Sequence, residues 1–564
     1  MRTYKFLGIF IILLFAVSGS SALQAQELPP GASAEVIQAK QKKEDREKLE
    51  EKKAKKEVEI KKEIPSPPKP AETLEILVRT IRLKGNPVIP NDVLSAYFKS
   101  YEGRNLRFSD LTALCRQLED EYLKRGYVAL VYVPQQKFEN NEVKLQAVLS
   151  KMGEIHLEGA TYFRDWKTLS YWKIPQGRLL RYDEMRSSLT EMNANPDRKV
   201  RASLRPGKET GFTDIYLKEE DHFPLHVGAF VDNQGAKLTG RDRVGFTLRD
   251  NNLLGLDDVL LASTTFGRTY GALGLQHLLP LNNNGTRLVT HFSHTQVNPK
   301  RELTPQGING ISESYGAEIR QMILKTDYST LDAYLGFDFD EKKTRSLGAT
   351  SVRDRLRVAS LGGSFQTADE AGAWDIGQDL YFGLPFNNDY RLITSRHTGN
   401  SFYKYNFLVK RFQTLPFKTS ASLEVQGQLS PDKLTPAEQL FIGGANTVRG
   451  YPESDYGADW GFMTNIEYNV PFFFLPDTLK FPGFEGPLKD KLNWIFFLDQ
   501  GYGRLNQSSP EEHSSRNLWG TGAGITIHLN DNLTARVEWG FRLGDPALAE
   551  AGRSEFYFKL NANF

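Results

Sequence analysis

From about residue 225 to residue 564 the chain alternates apolar and polar positions with a period of two. Leu331, Ala333, Leu335, Phe337 and Phe339 alternate with Asp332, Tyr334, Gly336, Asp338 and Asp340. Phe462, Thr464, Ile466, Tyr468 and Val470 alternate with Met463, Asn465, Glu467 and Asn469. Leu533, Ala535, Val537, Trp539 and Phe541 alternate with Thr534, Arg536, Glu538, Gly540 and Arg542. A period of two is that of a β-strand. One face is apolar and aromatic, the other charged. Strand starts fall near residues 225, 243, 258, 271, 286, 312, 329, 355, 375, 401, 417, 459, 492, 518, 533 and 555, which makes about sixteen. Strands that face lipid must close on themselves, because unpaired backbone is not tolerated there. The polar face then lines a water-filled lumen. A soluble sandwich would bury its apolar face with the same alternation. Strand lengths near ten residues and the aromatic load favour the membrane.

Two smaller α+β units precede the strands. The first, residues 74–150, reads β-α-α-β-β. A strand is expected over 76–83, a helix over 91–100 capped by Asn91, and a second helix from Ser109 with Leu111, Leu114, Cys115, Leu118 and Tyr122 on one face. Gly126 ends that helix, and strands follow over 128–133 and 142–149. The second unit, 151–220, is a shorter copy. Strands are expected over 154–158, 200–204 and 213–217, with a helix over 182–192.

Upstream, residues 26–73 form a charged segment and a linker. Residues 33–63 are dense in Lys and Glu, with Glu44/Lys48, Glu51/Lys55 and Glu57/Lys61 at the i,i+4 spacing that supports a helix. Its apolar residues make no stripe, so the helix is either a solvated tether or a plug resting in a polar pore. Pro65-Ser66-Pro67-Pro68-Lys69-Pro70 is a stiff extended linker. Residues 1–25 read as a secretory signal peptide: Arg2 and Lys5, an apolar run from Phe6 to Val17, then small residues. Both ends of an even-stranded barrel lie on one side, that of the preceding modules. For an exported chain that side is the periplasm.

Composition adds exclusions. Lys and Arg total 71 against 69 Asp and Glu, a net charge of +2, which gives no reason to expect nucleic acid as a partner. Mean hydropathy is −0.45 while aromatics reach 12%. That combination suits a β-barrel, in which only alternate strand residues meet lipid. The one cysteine, Cys115, excludes an intramolecular disulfide and reads as a core residue. No HExxH, CxxC or GxSxG pattern is present, so no enzyme, metal or cofactor is expected.

The candidate chemistry lies in one loop and one strand. Residues 430–458 show no clear strand pattern, and long loops inside ordered domains are commonly functional. Within it, Gly443 and Gly444 precede Val448-Arg449-Gly450-Tyr451. In the strand Phe497-Leu498-Asp499-Gln500-Gly501, alternation puts Trp494, Phe496 and Leu498 on one face and Phe497 and Asp499 on the other. A lone Arg in the loop and a lone inward Asp suggest an ion pair. Asp499 reads equally as a solvated lumen charge. The pair holds a loop only if the loop shields it from water.

These two motifs resemble the paired signatures of two-partner secretion outer-membrane transporters, which belong to the POTRA-bearing translocase and insertase superfamily. The resemblance extends to Lys124-Arg125-Gly126-Tyr127, Val133-Pro134-Gln135-Gln136, Asn195-Pro196, Leu204-Arg205-Pro206-Gly207, Asp232-Asn233-Gln234-Gly235, Thr239-Gly240 and the run from Asp250 to Asp258. It covers the chain from about residue 74 onward; the charged segment before Pro65 departs from the pattern. It implies an outer-membrane barrel with two POTRA domains in the periplasm. These capture a large unfolded haemagglutinin- or haemolysin-like exoprotein, which crosses the pore without ATP. Gly443, Gly444, Val448, Arg449, Gly450 and Tyr451 would form the pore loop, anchored by Phe497, Asp499 and Gly501. Phe556, Phe558, Leu560 and Phe564 resemble a barrel-insertion signal, implying membrane lipids and the barrel assembly machinery as further partners. The alternatives are an insertase of the same superfamily and a passive channel.

Overall fold

The computed structural model describes residues 60–62 and 75–564, without 87, 137–140, 210, 300–306, 327, 348, 386–395, 397, 481–485, 511, 531 and 549–551. The signal peptide expected over 1–25, the proline linker and most of the charged segment lie outside the described residues. The chain divides into two compact units. One contains Leu225–Asp250 and Val259–Phe564; the other contains Asn251–Asp258 and the described residues up to Pro224.

The smaller unit runs β1 (Ile60–Lys62), β2 (Ile76–Val78), β3 (Thr80–Lys84), α1 (Asn91–Lys99), β4 (Arg104–Leu106), α2 (Phe108–Lys124), β5 (Ala129–Tyr132), β6 (Glu142–Leu149), β7 (Lys151–Glu158), α3 (Asp165–Leu169), α4 (Tyr182–Met192), β8 (Arg198–Pro206) and β9 (Phe212–Asp221). The α2 stripe of Leu111, Leu114, Cys115, Leu118 and Tyr122 is buried in a core with Ile81, Val131, Val143 and Leu145 from the sheet β3-β6-β5. Gly126 takes φ +81°, and Tyr127 N donates to Tyr122 O, the left-handed turn expected of a helix-ending glycine. The second module packs Met185, Leu189 and Met192 of α4 with Val200, Ala202, Leu204, Ile215 and Leu217.

Four local expectations are corrected. The strand expected over 76–83 is interrupted at Arg79, so that β2 pairs antiparallel with β4 while β3 pairs parallel with β6. One extended run thus serves two sheets, and β4 is too short to show in the pattern. Asn91 is not a cap: it is the first helical residue, Pro90 precedes it, and no side chain caps the helix. Proline's fixed φ and the Asn86 side chain, which accepts from Val88 N and Ile89 N, shape that entry instead. The helix expected over 33–63 does not reach its stated end, because Ile60–Lys62 is a strand on the edge of β8. Helix α3, five residues long, was not expected.

The larger unit is a closed antiparallel barrel of sixteen strands. They are β10 (Leu225–Asp232), β11 (Arg243–Asp250), β12 (Val259–Phe266), β13 (Tyr270–Pro280), β14 (Thr286–Val297), β15 (Asn309–Lys325), β16 (Ser329–Ser346), β17 (Ala349–Ala368), β18 (Gly372–Gly383), β19 (Phe402–Thr414) and β20 (Ser420–Leu429), then, after a short pair β21 (Leu440–Ile442) and β22 (Tyr456–Ala458), β23 (Trp460–Pro471), β24 (Leu492–Arg504), β25 (Ser515–His528), β26 (Leu533–Arg542) and β27 (Ser554–Asn563). The expected starts fall within a few residues of these; the largest departure is the strand placed at 355, which begins at Ala349. The outer wall exposes large apolar groups such as Leu335, Ile319, Tyr315, Leu361, Trp539 and Phe556. The barrel closes where β10 pairs with β27, from Gly228 opposite Asn563 to Asp232 opposite Lys559. Beyond the paired residues the Asn233 amide continues the seam, donating to Phe556 O and accepting from Phe558 N at 2.8 and 2.9 Å.

Candidate functional site: a loop pinned inside the barrel

The connection between β20 and β23 is not the irregular stretch its pattern suggested. Its two limbs pair as β21 and β22, with Leu440 opposite Ala458 and Ile442 opposite Tyr456. This pinches the intervening residues into one compact tip. Gly443 and Gly444 take φ of +105° and +107°, a conformation that other residues avoid. Thr447 N donates to Gly444 O, and Ser454 N to Gly443 O. Val448 and Tyr451 are fully buried, in a cluster with Ile442, Tyr456, Ala458, Met463 and Leu518.

The turn places Arg449 against the inner wall. Its guanidinium is 3% exposed and Asp499 is wholly buried. Arg449 Nε and Nη2 donate to the two oxygens of Asp499, both at 2.7 Å, and its backbone N donates to the same carboxylate at 3.1 Å. Nη1 donates to Glu467 on β23 at 2.5 Å and to Glu538 on β26 at 2.7 Å. The guanidinium lies 3.6 Å above the Phe497 ring. Arg536 on β26 donates to both glutamates, at 2.6 and 2.7 Å. Two guanidinia therefore face three carboxylates, which a dry site tolerates only with this density of charge-assisted bonds. The expected partners Arg449 and Asp499 do meet; Glu467, Glu538 and Arg536 complete the site and were not singled out.

The wall is cut to receive the loop. Along β24 three successive inward side chains face glycines of β25: Ile495 faces Gly524, Phe497 faces Gly522 and Asp499 faces Gly520. A Cβ on Gly520 would come 2.0 Å from Arg449 O, and one on Gly540 2.7 Å from Gly450 N. A Cβ on Gly501 would meet Val448 at 2.8 Å. Gly450, at φ +93°, donates its N–H to the Tyr557 hydroxyl at 3.0 Å, and that hydroxyl donates to Tyr451 O. The Tyr451 hydroxyl donates to Asp545 O at 2.8 Å. At the base of the loop, Asp459 accepts from Arg396 Nη1, Leu434 N, Gln439 Nε2 and Asn506 N. Of the terminal residues, Phe556, Leu560 and Phe564 are exposed on the outer wall; Phe558 is half-buried beside the seam.

The smaller unit holds a second buried polar cluster, and it gathers two of the quoted motifs. Arg198 Nη2 donates to Asp257 at 2.9 Å, Arg198 Nε donates to Met192 O, and the guanidinium lies over the Phe163 and Tyr171 rings. The Tyr171 hydroxyl and the Asn195 amide also donate to Asp257. Burial, and after it the Asp257 carboxylate, raises the Tyr171 hydroxyl well above its ordinary range, so it remains a donor. Nothing in the sequence distinguished Arg198 from its neighbours on β8.

A family model described as "Haemolysin secretion/activation protein ShlB/FhaC/HecB" matches residues 211–527, and one described as "POTRA domain, ShlB-type" matches residues 76–149. The chain is 23% identical over 507 residues to the heme/hemopexin transporter protein HuxB of Haemophilus influenzae, covering 85% of this chain and 86% of the relative. It is 21% identical over 511 residues to the outer membrane transporter CdiB of Dickeya dadantii, covering 86% of each. Among solved structures, CdiB from Escherichia coli superposes with a TM-score of 0.64 at 18% identity, covering 96% of this chain and all of that one. BamA from Haemophilus ducreyi, lacking POTRA domains 1–3, superposes with a TM-score of 0.58 at 13% identity, covering 87% of this chain and all of that one.

Proposed function

Since the chain belongs to the haemolysin secretion/activation protein family ShlB/FhaC/HecB, we propose that it exports a large exoprotein across the outer membrane, with no enzymatic step of its own. The barrel sits in the outer membrane and the POTRA region lies in the periplasm. An unfolded, haemagglutinin- or haemolysin-like cargo is captured there as an extended chain, by strand addition to a sheet edge. It then passes through the lumen, and folding outside draws it onward without ATP.

The observation that carries this reading is the Arg449 fork, buried among carboxylates from three strands of one barrel wall. A lumen built only for passive diffusion has no need of a segment held at that electrostatic cost. Lipid contact is supported by the apolar outer wall. Recognition by the barrel assembly machinery is supported by the outward residues Phe556, Leu560 and Phe564.

The test is deletion of residues 443–451. The expected result is loss of one or a few proteins from the culture medium while the barrel remains inserted and heat-modifiable. Undiminished secretion by the inserted deletion variant would end the reading. General loss of outer-membrane barrels on depletion would point to an insertase instead.

A further inference from the structure

The three longest strands of the barrel, β15, β16 and β17, have 17, 18 and 20 residues. A tilted strand needs only about 9–11 residues to cross a bilayer, so this part of the wall extends beyond it. Counted from β10, β16 is the seventh strand of the barrel, so it rises from the periplasmic side and β17 returns. The outward face of this hairpin changes character along its length. Leu331, Leu335, Phe337 and Phe339 form an apolar zone, in which Phe339 stacks on Tyr315 of β15 at 5.2 Å. Beyond it the same face is charged: Phe339 lies opposite Arg357, Glu341 opposite Arg355 and Lys343 opposite Arg353. Arg345, exposed, follows two residues further on. The alternate residues Asp340, Lys342 and Asp354 are buried on the inner face.

The outer end of the hairpin therefore turns five cations outward with one carboxylate among them. Arg353 Nε donates to Glu341 at 2.8 Å, while Lys343 and Arg355 approach the same carboxylate at 3.0 and 3.6 Å. On β15, beside Glu341, Glu313 faces His294 at 3.2 Å. Arg357 lies over the Phe339 ring at 4.7 Å, where the apolar and charged zones meet. One carboxylate does not neutralise three cations, and like charges directly opposite, as Lys343 and Arg353 are, destabilise a strand pair. A surface meant only for solvation mixes its signs; this one fixes a positive field on a rigid wall. From Phe339 to Lys343 the strand rises about 13 Å along its axis, or roughly 10 Å in height at the usual tilt. That is the depth of lipid headgroups above the hydrocarbon.

We propose that the outward face of the β16–β17 hairpin binds the phosphorylated headgroup of a lipid in the outer leaflet. The guanidinium forks of Arg353, Arg355 and Arg357 suit phosphate oxygens, and Lys343 and Arg345 add point charges above them. The acyl chains lie along the apolar zone formed by Leu335, Phe337 and Leu361. Glu341 gathers the cations when no headgroup is bound and competes with phosphate for them. A soluble phosphate or an acidic polypeptide meets the same charges and lacks the acyl contact, so the lipid is the occupant that uses both zones.

The test uses the full mature protein in neutral detergent, with fluorescent diphosphorylated lipid A as the probe. Heat-modifiability checks that each variant is a folded barrel. The combined change Arg345→Gln, Arg353→Gln and Arg355→Gln should weaken binding at least about tenfold, because three cations at headgroup depth are lost. Glu341→Gln should tighten binding severalfold, because the competing carboxylate is gone; this variant decides the matter if the triple one does not fold. Binding by the parent should fall as salt is raised. No binding by the parent, equal binding by the folded triple variant, or unchanged or weaker binding by Glu341→Gln overturns the inference. Displacement of the probe by inorganic pyrophosphate as effectively as by unlabelled lipid A overturns it in favour of a soluble phosphate. Displacement by polyglutamate at equal charge overturns it in favour of an acidic protein partner.

Discussion

Replacing Arg449 with Ala removes the fork that holds the loop tip. The side chain makes two bonds to Asp499 and one each to Glu467 and Glu538. Breaking a buried pair by deleting one partner costs about 3–5 kcal/mol. The lower end applies here, because Arg536 remains bonded to Glu467 and Glu538, and Asn465 still donates to Asp499 at 2.9 Å. A loss of about 3 kcal/mol raises the fraction of loops away from the wall about a hundredfold. Thr447 is buried beside the tip, and its carbonyl accepts from the Asn465 amide. A cysteine placed there reports opening through its rate of reaction with a membrane-impermeant maleimide. The rate should rise about a hundredfold in Arg449→Ala, and by less in Arg449→Lys, which keeps the charge and loses the planar fork. Asp499→Ala combined with Arg449→Ala should cost less than the two single changes added together, since it removes the stranded carboxylate. A rate within about threefold of the parent would refute the reasoning, as would strict additivity.

Two further outcomes are expected. Gly520→Ala puts a methyl where Arg449 O now lies, so the loop must lift; overpacking of about 1–3 kcal/mol should open it roughly fivefold to a hundredfold with barrel insertion unchanged. A parental maleimide rate in that variant would show that the close approach does not govern the loop. In the smaller unit, burial pushes the Glu219 carboxyl above its ordinary value, with Arg198 opposing. A raised folded pKa means that the group's contribution is intact below the unfolded value, about 4.3, and is lost as pH rises through the folded one. Glu219→Gln should therefore match the parent in amide protection of β7–β9 near that pH and exceed it increasingly toward neutrality. A difference that shrinks as pH rises would contradict this.

What could be read along the chain was whatever repeats locally. Strand alternation identified the barrel wall, its inward face and the orientation of Phe497 and Asp499, because side-chain direction follows from strand period alone. Glycine and arginine marked the loop, since positive φ and a lone buried charge leave a trace in composition. The turn at Arg79, the Pro90 entry to α1 and the strand at Ile60–Lys62 escaped, because each depends on which partner strand or side chain lies nearby. The same holds at the site. Glu467 and Glu538 looked like any other inward charges, and Gly520, Gly522 and Gly524 like any strand glycines. Only the register that sets Asp499 opposite Gly520 and Phe497 opposite Gly522 turns them into a cradle. Register is a relation between strands, decided by closure of the whole barrel, and no single strand carries it.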